Sequence, residues 1–159
     1  MSAALEISVE SPALKGLEAR IRRLAAGMAD TRPLLEALGA EVESQARRRI
    51  DEGGPAPDGA PWESWSDAYA ATRRGGQRML IDEGGLLDSI QSLVSGDIAE
   101  VGSNLAYAAI QQFGGTSEMA PGPAAIPARE WLGLSSDDAR ELDALLDDHF
   151  SGLAAEALA

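Results

Sequence analysis

Two segments rich in proline and glycine divide this chain into short lengths of regular structure. Residues 53–62 (GGPAPDGAPW) and 115–125 (GTSEMAPGPAA) combine prolines, which lack a backbone N–H, with glycines, which loosen the backbone. Because neither segment can continue a helix or a strand, we predict two long loops. At 159 residues the chain fits one domain, which we place at residues 1–150, with an alanine-rich, frayed extension at 151–159.

Apolar residues at helical spacing predict two helices ahead of the first loop. Five of them recur every three or four residues and so share one helix face: Leu14, Leu17, Ile21, Leu24 and Met28. A second helix is predicted over residues 34–50, after a break at residues 30–33 and before the glycines at 53–54. We expect these helices to form a hairpin that packs one apolar side against a sheet.

The rest of the chain predicts a small sheet and further short elements. Apolar and polar residues alternate over residues 5–10 as in a short strand, and residues 91–95 and 98–101 flank a Gly96–Asp97 turn as in a β-hairpin. Residues 104–113 are expected to form a helix that ends at Gly114, while Ser66 and residues 135–138 are typical of helix caps. The predicted fold class is α+β: a small antiparallel β-sheet, with its hairpin near residues 91–101, packed by an N-terminal helical hairpin and a C-terminal helix.

Residues that carry catalytic chemistry are nearly absent. The chain has no cysteine and a single histidine, His149, which we expect to meet the dipole of the last helix. No nucleophile elbow or phosphate-binding loop occurs, and the aspartates between residues 137 and 148 spread around a helix as on a solvated face. We therefore predict no enzyme, no catalytic residue, no cofactor and no metal site. The enzymatic alternative, a small hydrolase with paired carboxylates, requires a concave pocket with perturbed carboxyls.

The formal net charge of −13 is concentrated in the second half of the chain. Residues 1–78 carry 11 Lys/Arg against 12 Asp/Glu, whereas residues 79–159 carry 2 against 14. A surface this acidic repels nucleic acid, since binding would bring like charges together. One interpretation is that the acidic residues keep the protein soluble. The other is an acidic end that faces a basic partner or a DNA channel. We favour the first interpretation, because net charge commonly serves solubility.

Two arginine clusters, at residues 47–49 and at Arg73, Arg74 and Arg78, hold six of the 13 basic residues. Helix capping and ion pairs with nearby acids such as Glu43 and Asp51 are one interpretation. The other is a basic patch that meets either the acidic half of a neighbouring copy, as in head-to-tail rings, or DNA in a channel. The opposite charge of the two halves of the chain favours the neighbouring copy.

Nothing in the sequence predicts contact with a membrane. No apolar run approaches the ~20 residues that span a bilayer. The first ten residues lack the basic start and apolar core of a secretory signal. We expect synthesis in a reducing cytosol and no membrane partner.

From about Ala37 to Leu146 the chain resembles the virion morphogenesis (tail completion) family of Mu-like phages and related prophages. The matching pieces occur in the family's order: residues 57–62 (PDGAPW) and Ser66; residues 80–90 (LIDEGGLLDSI); residues 101–103 (VGS); Tyr107 and Ala108 with residues 112–114 (QFG); and residues 126–129 (IPAR) with Leu132 and Gly133. The chain departs from the family at Gln111, where His is common, and at Glu130 and Trp131, where a Pro–aromatic pair is usual.

The resemblance implies a structural protein of the tailed-phage neck, assembled in the cytoplasm of the bacterial host and found in the virion. Its expected task is to complete the tail and join it to the head. The expected form is a homo-oligomeric ring around the DNA path, with tail-tube and head–tail connector proteins as partners and DNA passing nearby without specific binding. The rival class is an acidic DNA mimic or inhibitor that occupies a basic DNA-binding site.

We predict that the two loops are docking elements and that aromatic residues in and beside them are anchors. The candidate interface residues are Trp62, Trp65, Arg73, Arg74, Phe113, Arg129 and Trp131. Arg129 is expected to pair with a carboxylate, either across a subunit boundary or within the chain. The alternative for Trp65, Tyr107 and Phe113 is that at least two of them belong to the core.

Overall fold

The central element of the fold is helix α2 (Arg32–Glu52), which contacts both the sheet and the C-terminal helix. The structure is a computed structural model that describes residues 12–159, with side chains from residue 15. Pro33 lies in the first turn of α2, where its missing N–H costs nothing. The helix ends as predicted at Gly53, whose left-handed backbone (φ 79°) lets its N–H donate to the carbonyl of Ile50 at 3.1 Å.

The sheet is a two-stranded hairpin that α2 covers on one face. Strands β1 (Ile90–Ser95) and β2 (Ile98–Ser103) pair antiparallel, from Ile90 opposite Ser103 to Ser95 opposite Ile98, so the predicted hairpin is confirmed. Alternate residues of β1 turn inward, and Ser92 donates its backbone N–H to the Glu43 carboxylate of α2 at 2.8 Å. A side chain therefore pairs a backbone group of β1 that the hairpin alone leaves free.

Four short helices connect the larger elements: α3 (Asp67–Ala70), α4 (Gly85–Ser89), α5 (Ala108–Phe113) and α6 (Pro121–Ala124). Ser66 caps α3 as predicted, because its hydroxyl accepts from the backbone of Tyr69. Helix α5 is shorter than expected: the Ser103 hydroxyl accepts the N–H of Leu105 at 3.1 Å, which favours a turn before the helix. The second predicted loop, residues 115–125, contains α6.

Helix α7 (Ser136–Leu158) closes the fold and is longer than the sequence suggested. Ser135 and Asp138 form the predicted capping box. The frayed extension predicted at 151–159 is wrong, since the helix continues to Leu158. Alanine and leucine are strong helix formers, and Ala157 is buried, so this last stretch gains both propensity and packing.

Helix α1 (Pro12–Ala29) packs against α7 rather than against the sheet. The predicted apolar stripe does form on one helix face, but Leu17, Ile21 and Met28 are exposed, so the expectation that this face is covered is wrong. Helical spacing fixes which residues share a face and does not fix what lies on it. The strand predicted over residues 5–10 lies outside the described residues.

The core joins α2, the hairpin and both loop regions. Its buried members are Ala46, Ile50, Trp62, Leu86, Ile90, Ala108 and Trp131. The two indoles sit against backbone: Trp62 donates to the carbonyl of Glu130 at 3.1 Å, and Trp131 donates to that of Ala108 at 3.3 Å. Burying an aromatic side chain of this size contributes about 4 kcal/mol, so the tryptophans are major sources of stability. The α+β class is confirmed.

Candidate interaction surface

A cleft of about 800 Å³ opens between the residues around α3, the segment before α4, helix α5 and the second proline-rich segment. Its walls carry three aromatic side chains and two of the arginines that the sequence analysis named as candidate interface residues. We call it the aromatic groove, defined by Trp65, Tyr69, Arg73, Tyr107, Gln111 and Arg129. The sequence did not predict that these residues form one surface, because they span 65 positions of the chain.

Arg73 is held in place across the rings of the groove. Its guanidinium carbon lies 5.5 Å from the ring centroid of Trp65 and 5.1 Å from that of Tyr69. The two rings meet edge to face, with centroids 6.0 Å apart. Arg73 also forms an ion pair with Asp82 at 2.9 Å. Cation–π stacking and an ion pair together fix an arginine that would otherwise sample many rotamers.

Arg129 forms the floor between the two loop regions. It is buried, and its guanidinium donates to the backbone carbonyls of Glu63 at 2.9 Å and Ser64 at 3.3 Å. Burial lowers the pKa of Arg129 from its usual value. The predicted carboxylate partner within the chain is therefore wrong, because backbone carbonyls satisfy this arginine there. A carboxylate partner across a subunit boundary stays a prediction. The role of Arg129 in the structure is to tie residues 63–64 to the segment that follows α6.

Two neighbouring glutamines of α5 do different work. Gln111 lines the groove, and its Oε1 is buried without a hydrogen-bond partner among the described residues. Gln112 accepts from the backbone N–H groups of Trp131 (3.0 Å) and Leu132 (2.9 Å) and donates to the Leu132 carbonyl at 2.8 Å. Gln112 thus positions the Trp131 backbone. Gln112 was named from the sequence only as part of the 112–114 motif and was given no role; that motif was the one signal that could have pointed to it.

The predicted interface residues separate into three groups. Trp65, Arg73 and Arg129 meet in the groove, with Arg74 exposed beside it. Phe113 is 78% exposed at the last turn of α5, and Tyr107 is also exposed, so the alternative that places them in the core is wrong. Trp62 and Trp131, in contrast, are buried within the chain and cannot serve as surface anchors in this conformation. Their indole N–H groups donate hydrogen bonds to backbone carbonyls, and their rings pack in the core.

The arginines of residues 47–49 meet acids of the same chain. Arg49 is buried; it donates to the carbonyls of Trp131 (3.1 Å) and Gly133 (3.0 Å) and forms an ion pair with Asp138. Arg48 pairs with Glu141 at 2.9 Å and reaches Asp138 at 3.4 Å. We call Arg49 and Asp138 the α2–α7 clamp. The basic patch expected to face a neighbouring copy is therefore wrong for this cluster, because the first turns of α7 occupy it.

The ion pairs between α2 and α7 also shift the pKa values of the carboxyls that form them. Burial alone would raise the pKa of Asp138, but hydrogen bonds from Ser135 and the charge of Arg49 outweigh it and hold that pKa below its usual value. The hydrogen bond from Arg48 lowers the pKa of Glu141 and raises that of Arg48 itself. Neither carboxyl lines the groove, so these shifts report structural ion pairs rather than the perturbed pocket that a hydrolase requires.

Residues 12–159 contain neither a cluster of metal ligands nor a membrane-spanning helix. Within residues 12–159, no three His, Cys, Asp or Glu side chains gather as metal ligands. Over the same range no helix is both long and apolar enough to cross a bilayer.

Comparison with known proteins identifies the chain's relatives. Residues 13–151 match the phage virion morphogenesis family. The chain is 38% identical over 116 residues to the putative capsid assembly protein G of Escherichia phage Mu, covering 70% of this chain and 71% of that protein. It is 31% identical over 145 residues to the Mu-like prophage FluMu G protein 2 of Haemophilus influenzae, covering 91% of this chain and 96% of the relative. No solved structure matches the chain.

Proposed function

The chain belongs to the phage virion morphogenesis family, and from that premise we propose that it is a structural protein of the phage neck that completes the tail and joins it to the head. Its general role is structural, in the assembly of a phage virion, with which it is associated. The proposed form is a homo-oligomeric ring around the DNA path. Tail-tube and head–tail connector proteins are the proposed partners.

The observation that carries this proposal is the arrangement of side chains on α5. Tyr107 and Gln111 line the aromatic groove, while Phe113 is largely exposed two positions further on. Two positions correspond to roughly 200° around a helix, so Gln111 and Phe113 point in nearly opposite directions. A head-to-tail interface needs two different patches on separate sides of one molecule. The exposed phenyl ring and the aromatic groove are two such patches.

The acidic surface of α7 supports a position of the protein close to DNA, but not the binding of DNA by the protein. Helix α7 carries seven acidic residues and one arginine. Arg48 and Arg49 neutralise only Asp138 and Glu141, so most of these acids remain exposed. Phosphates brought near them would be repelled, which suits a passage through which DNA slides.

Complementation of a phage that lacks this gene tests the proposal. We expect lysates without the protein to contain full heads and separate tails in electron micrographs, and plasmid-borne wild type to restore joined virions. A Phe113→Ser variant should be stable but should not restore joining. Leu93→Ser is the matched control, because Leu93 is an exposed apolar residue on the hairpin, away from α5. Normal virions without the protein would refute the neck role.

A further inference from the structure

The two outer edges of the β1–β2 hairpin differ in how their backbone groups are paired. On the β1 edge, the N–H of Ser92 donates to the Glu43 carboxylate at 2.8 Å, and the carbonyl of Ile90 accepts from Arg47 at 2.5 Å. Side chains of α2 therefore occupy the β1 edge. An edge covered in this way offers no place for a further strand.

The β2 edge has no such cover. Because Ser92 directs its N–H out of the hairpin, it belongs to a pair that exchanges no hydrogen bonds, and its partner Val101 also directs its backbone groups outward. The same holds for Ala99, two positions away on the same strand. Neither residue has a backbone hydrogen-bond partner among residues 12–159. A row of unpaired N–H and C=O groups is what an added strand binds.

The two faces of the hairpin set the pattern that such a strand must have. The side chain of Ala99 lies on the face that α2 covers, since a Cβ added at Gly39 would come within 3.7 Å of it. Val101, on the same face, packs against the core, whereas Glu100 is exposed on the other face. An added strand continues both faces. It therefore needs apolar side chains on the side of α2 and polar ones at the alternate positions.

One segment of this chain has that pattern and lies outside the described residues. Over residues 5–10, Leu5, Ile7 and Val9 alternate with two glutamates and a serine. The segment has six residues, as many as β2. Its alternation predicts a half-buried strand, which needs a sheet edge to pair with.

The segment is too close to α1 to reach the β2 edge of its own chain. Only Ser11 separates it from Pro12, where α1 begins. Helix α1 packs on α7, α7 on α2, and α2 on the hairpin. Packed helices lie about 8–10 Å apart, whereas one extended residue spans at most ~3.6 Å. The strand must therefore come from another copy of the chain.

We propose that residues 5–10 of one copy add to the free β2 edge of a neighbouring copy as an antiparallel strand. Antiparallel pairs are the commoner kind, and in this arrangement Ile7 lies opposite Ala99 or Val101 with its own N–H directed at β2. Each copy gives a strand and receives one, so the contact is head-to-tail and can close a ring. The inference rests on the homo-oligomeric part of the proposed function.

Proline substitution at adjacent positions of the full chain tests this pairing. We expect the wild type to self-associate in analytical ultracentrifugation. Ile7→Pro should weaken association by about tenfold or more, because it removes an N–H that donates to β2. Ser8→Pro is the matched control: the N–H at position 8 points away from β2, so this variant should associate within about threefold of the wild type.

Backbone hydrogen exchange, followed by NMR on the wild type, locates the paired edge. The amides of Ala99 and Val101 should exchange about tenfold more slowly in the associated state than after dilution. The amide of Leu93, which pairs with Glu100 inside the hairpin, should change little and is the internal reference.

Three results would overturn the inference: a wild type that stays monomeric up to millimolar concentration, an Ile7→Pro variant that associates as the wild type does, or protection of Ala99 and Val101 that is independent of concentration. The last would show that the strand comes from the same chain. None of these results bears on the complementation assay, which tests the neck role separately.

Discussion

Removing the carboxylate of Asp138 should destabilise the protein far more than removing the carboxylate of Asp137, the preceding residue. Asp138 is buried, pairs with Arg49 and accepts the backbone N–H of Ser135 at 2.9 Å. In Asp138→Ala the capping box loses one of its two bonds, and the buried guanidinium of Arg49 loses its counter-charge. Arg49 keeps only the carbonyls of Trp131 and Gly133.

The expected cost follows from these two losses. Breaking a buried ion pair by removing one partner costs about 3–5 kcal/mol, and the two remaining carbonyls place this case near the lower end. The lost cap bond adds about 0.5–1 kcal/mol. We therefore expect the free energy of unfolding to fall by about 3–4 kcal/mol and the midpoint temperature to fall by about 8–15 °C. Urea titration and calorimetry measure both quantities.

Asp137→Ala is the matched control. Asp137 is one residue away on the same first turn, is exposed and pairs with Arg140 at the surface. An exposed pair of this kind contributes little, so the control should lie within about 0.5 kcal/mol of the wild type. If Asp138→Ala and Asp137→Ala differ by less than about 1 kcal/mol, the α2–α7 clamp does not hold these helices as described.

The pH dependence gives the clamp an independent signature. The pKa of Asp138 is lower in the folded chain than its usual value of 3.8, so the unfolded state binds the proton more tightly. The stabilisation from this group is therefore fully present above pH ~4 and is lost as pH falls through the depressed folded value. The difference in unfolding free energy between wild type and Asp138→Asn should be constant near neutrality and shrink below pH ~4. A difference that grows on acidification would contradict the sign of this shift.

Three further changes have expected outcomes that the structure fixes. Gln112→Ala removes three hydrogen bonds to the backbone of Trp131 and Leu132 and should cost about 2–3 kcal/mol in urea unfolding, whereas Gln111→Ala should cost less than about 1 kcal/mol. Gly115→Ala places a methyl group 1.8 Å from the carbonyl oxygen of Pro123 and should lower stability by about 2–3 kcal/mol, while Gly122→Ala, with nothing within 4 Å, should be nearly neutral. Phe113→Ser should leave the midpoint of thermal unfolding within about 2 °C of wild type, because the ring is mostly exposed; a large drop would show that the ring is packed.

The parts of the fold that the sequence predicted are those specified by neighbouring residues. Gly53 ends α2 through its own left-handed backbone, and Ser135 caps α7 through a group three residues away. The hairpin turns at Gly96, whose φ is 58°. In each case the residues that determine the structure lie within a few positions of it, so the pattern contains the physical cause.

The parts that the sequence did not predict depend on contacts between distant positions. Arg49 lies 89 residues from Asp138, and local pattern describes it only as a basic residue in a last helical turn. We predicted Trp62 and Trp131 as anchors because they lie in or beside the two proline-rich segments. In the folded chain both rings are buried in the core. The sequence identified Trp65, Arg73 and Arg129 as candidate interface residues. It did not predict that they line one groove, because they come from separate segments of the chain.

The fold shows which acidic residues of the second half of the chain stay unpaired. Arg48 and Arg49 neutralise acids at the start of α7, so the acids without an ion pair among the described residues lie further along the helix. Two of them, Asp143 and Asp147, share one exposed row with Phe150 and Leu158. A purely acidic row would suit a DNA mimic, because a phosphate backbone offers regular negative charge and no apolar side chains. The row on α7 instead continues into Phe150 and Leu158, both exposed. Apolar side chains beside charges are the composition of a protein–protein contact. The acidic half is therefore better matched to a protein surface that offers both basic and apolar side chains than to a DNA-binding site.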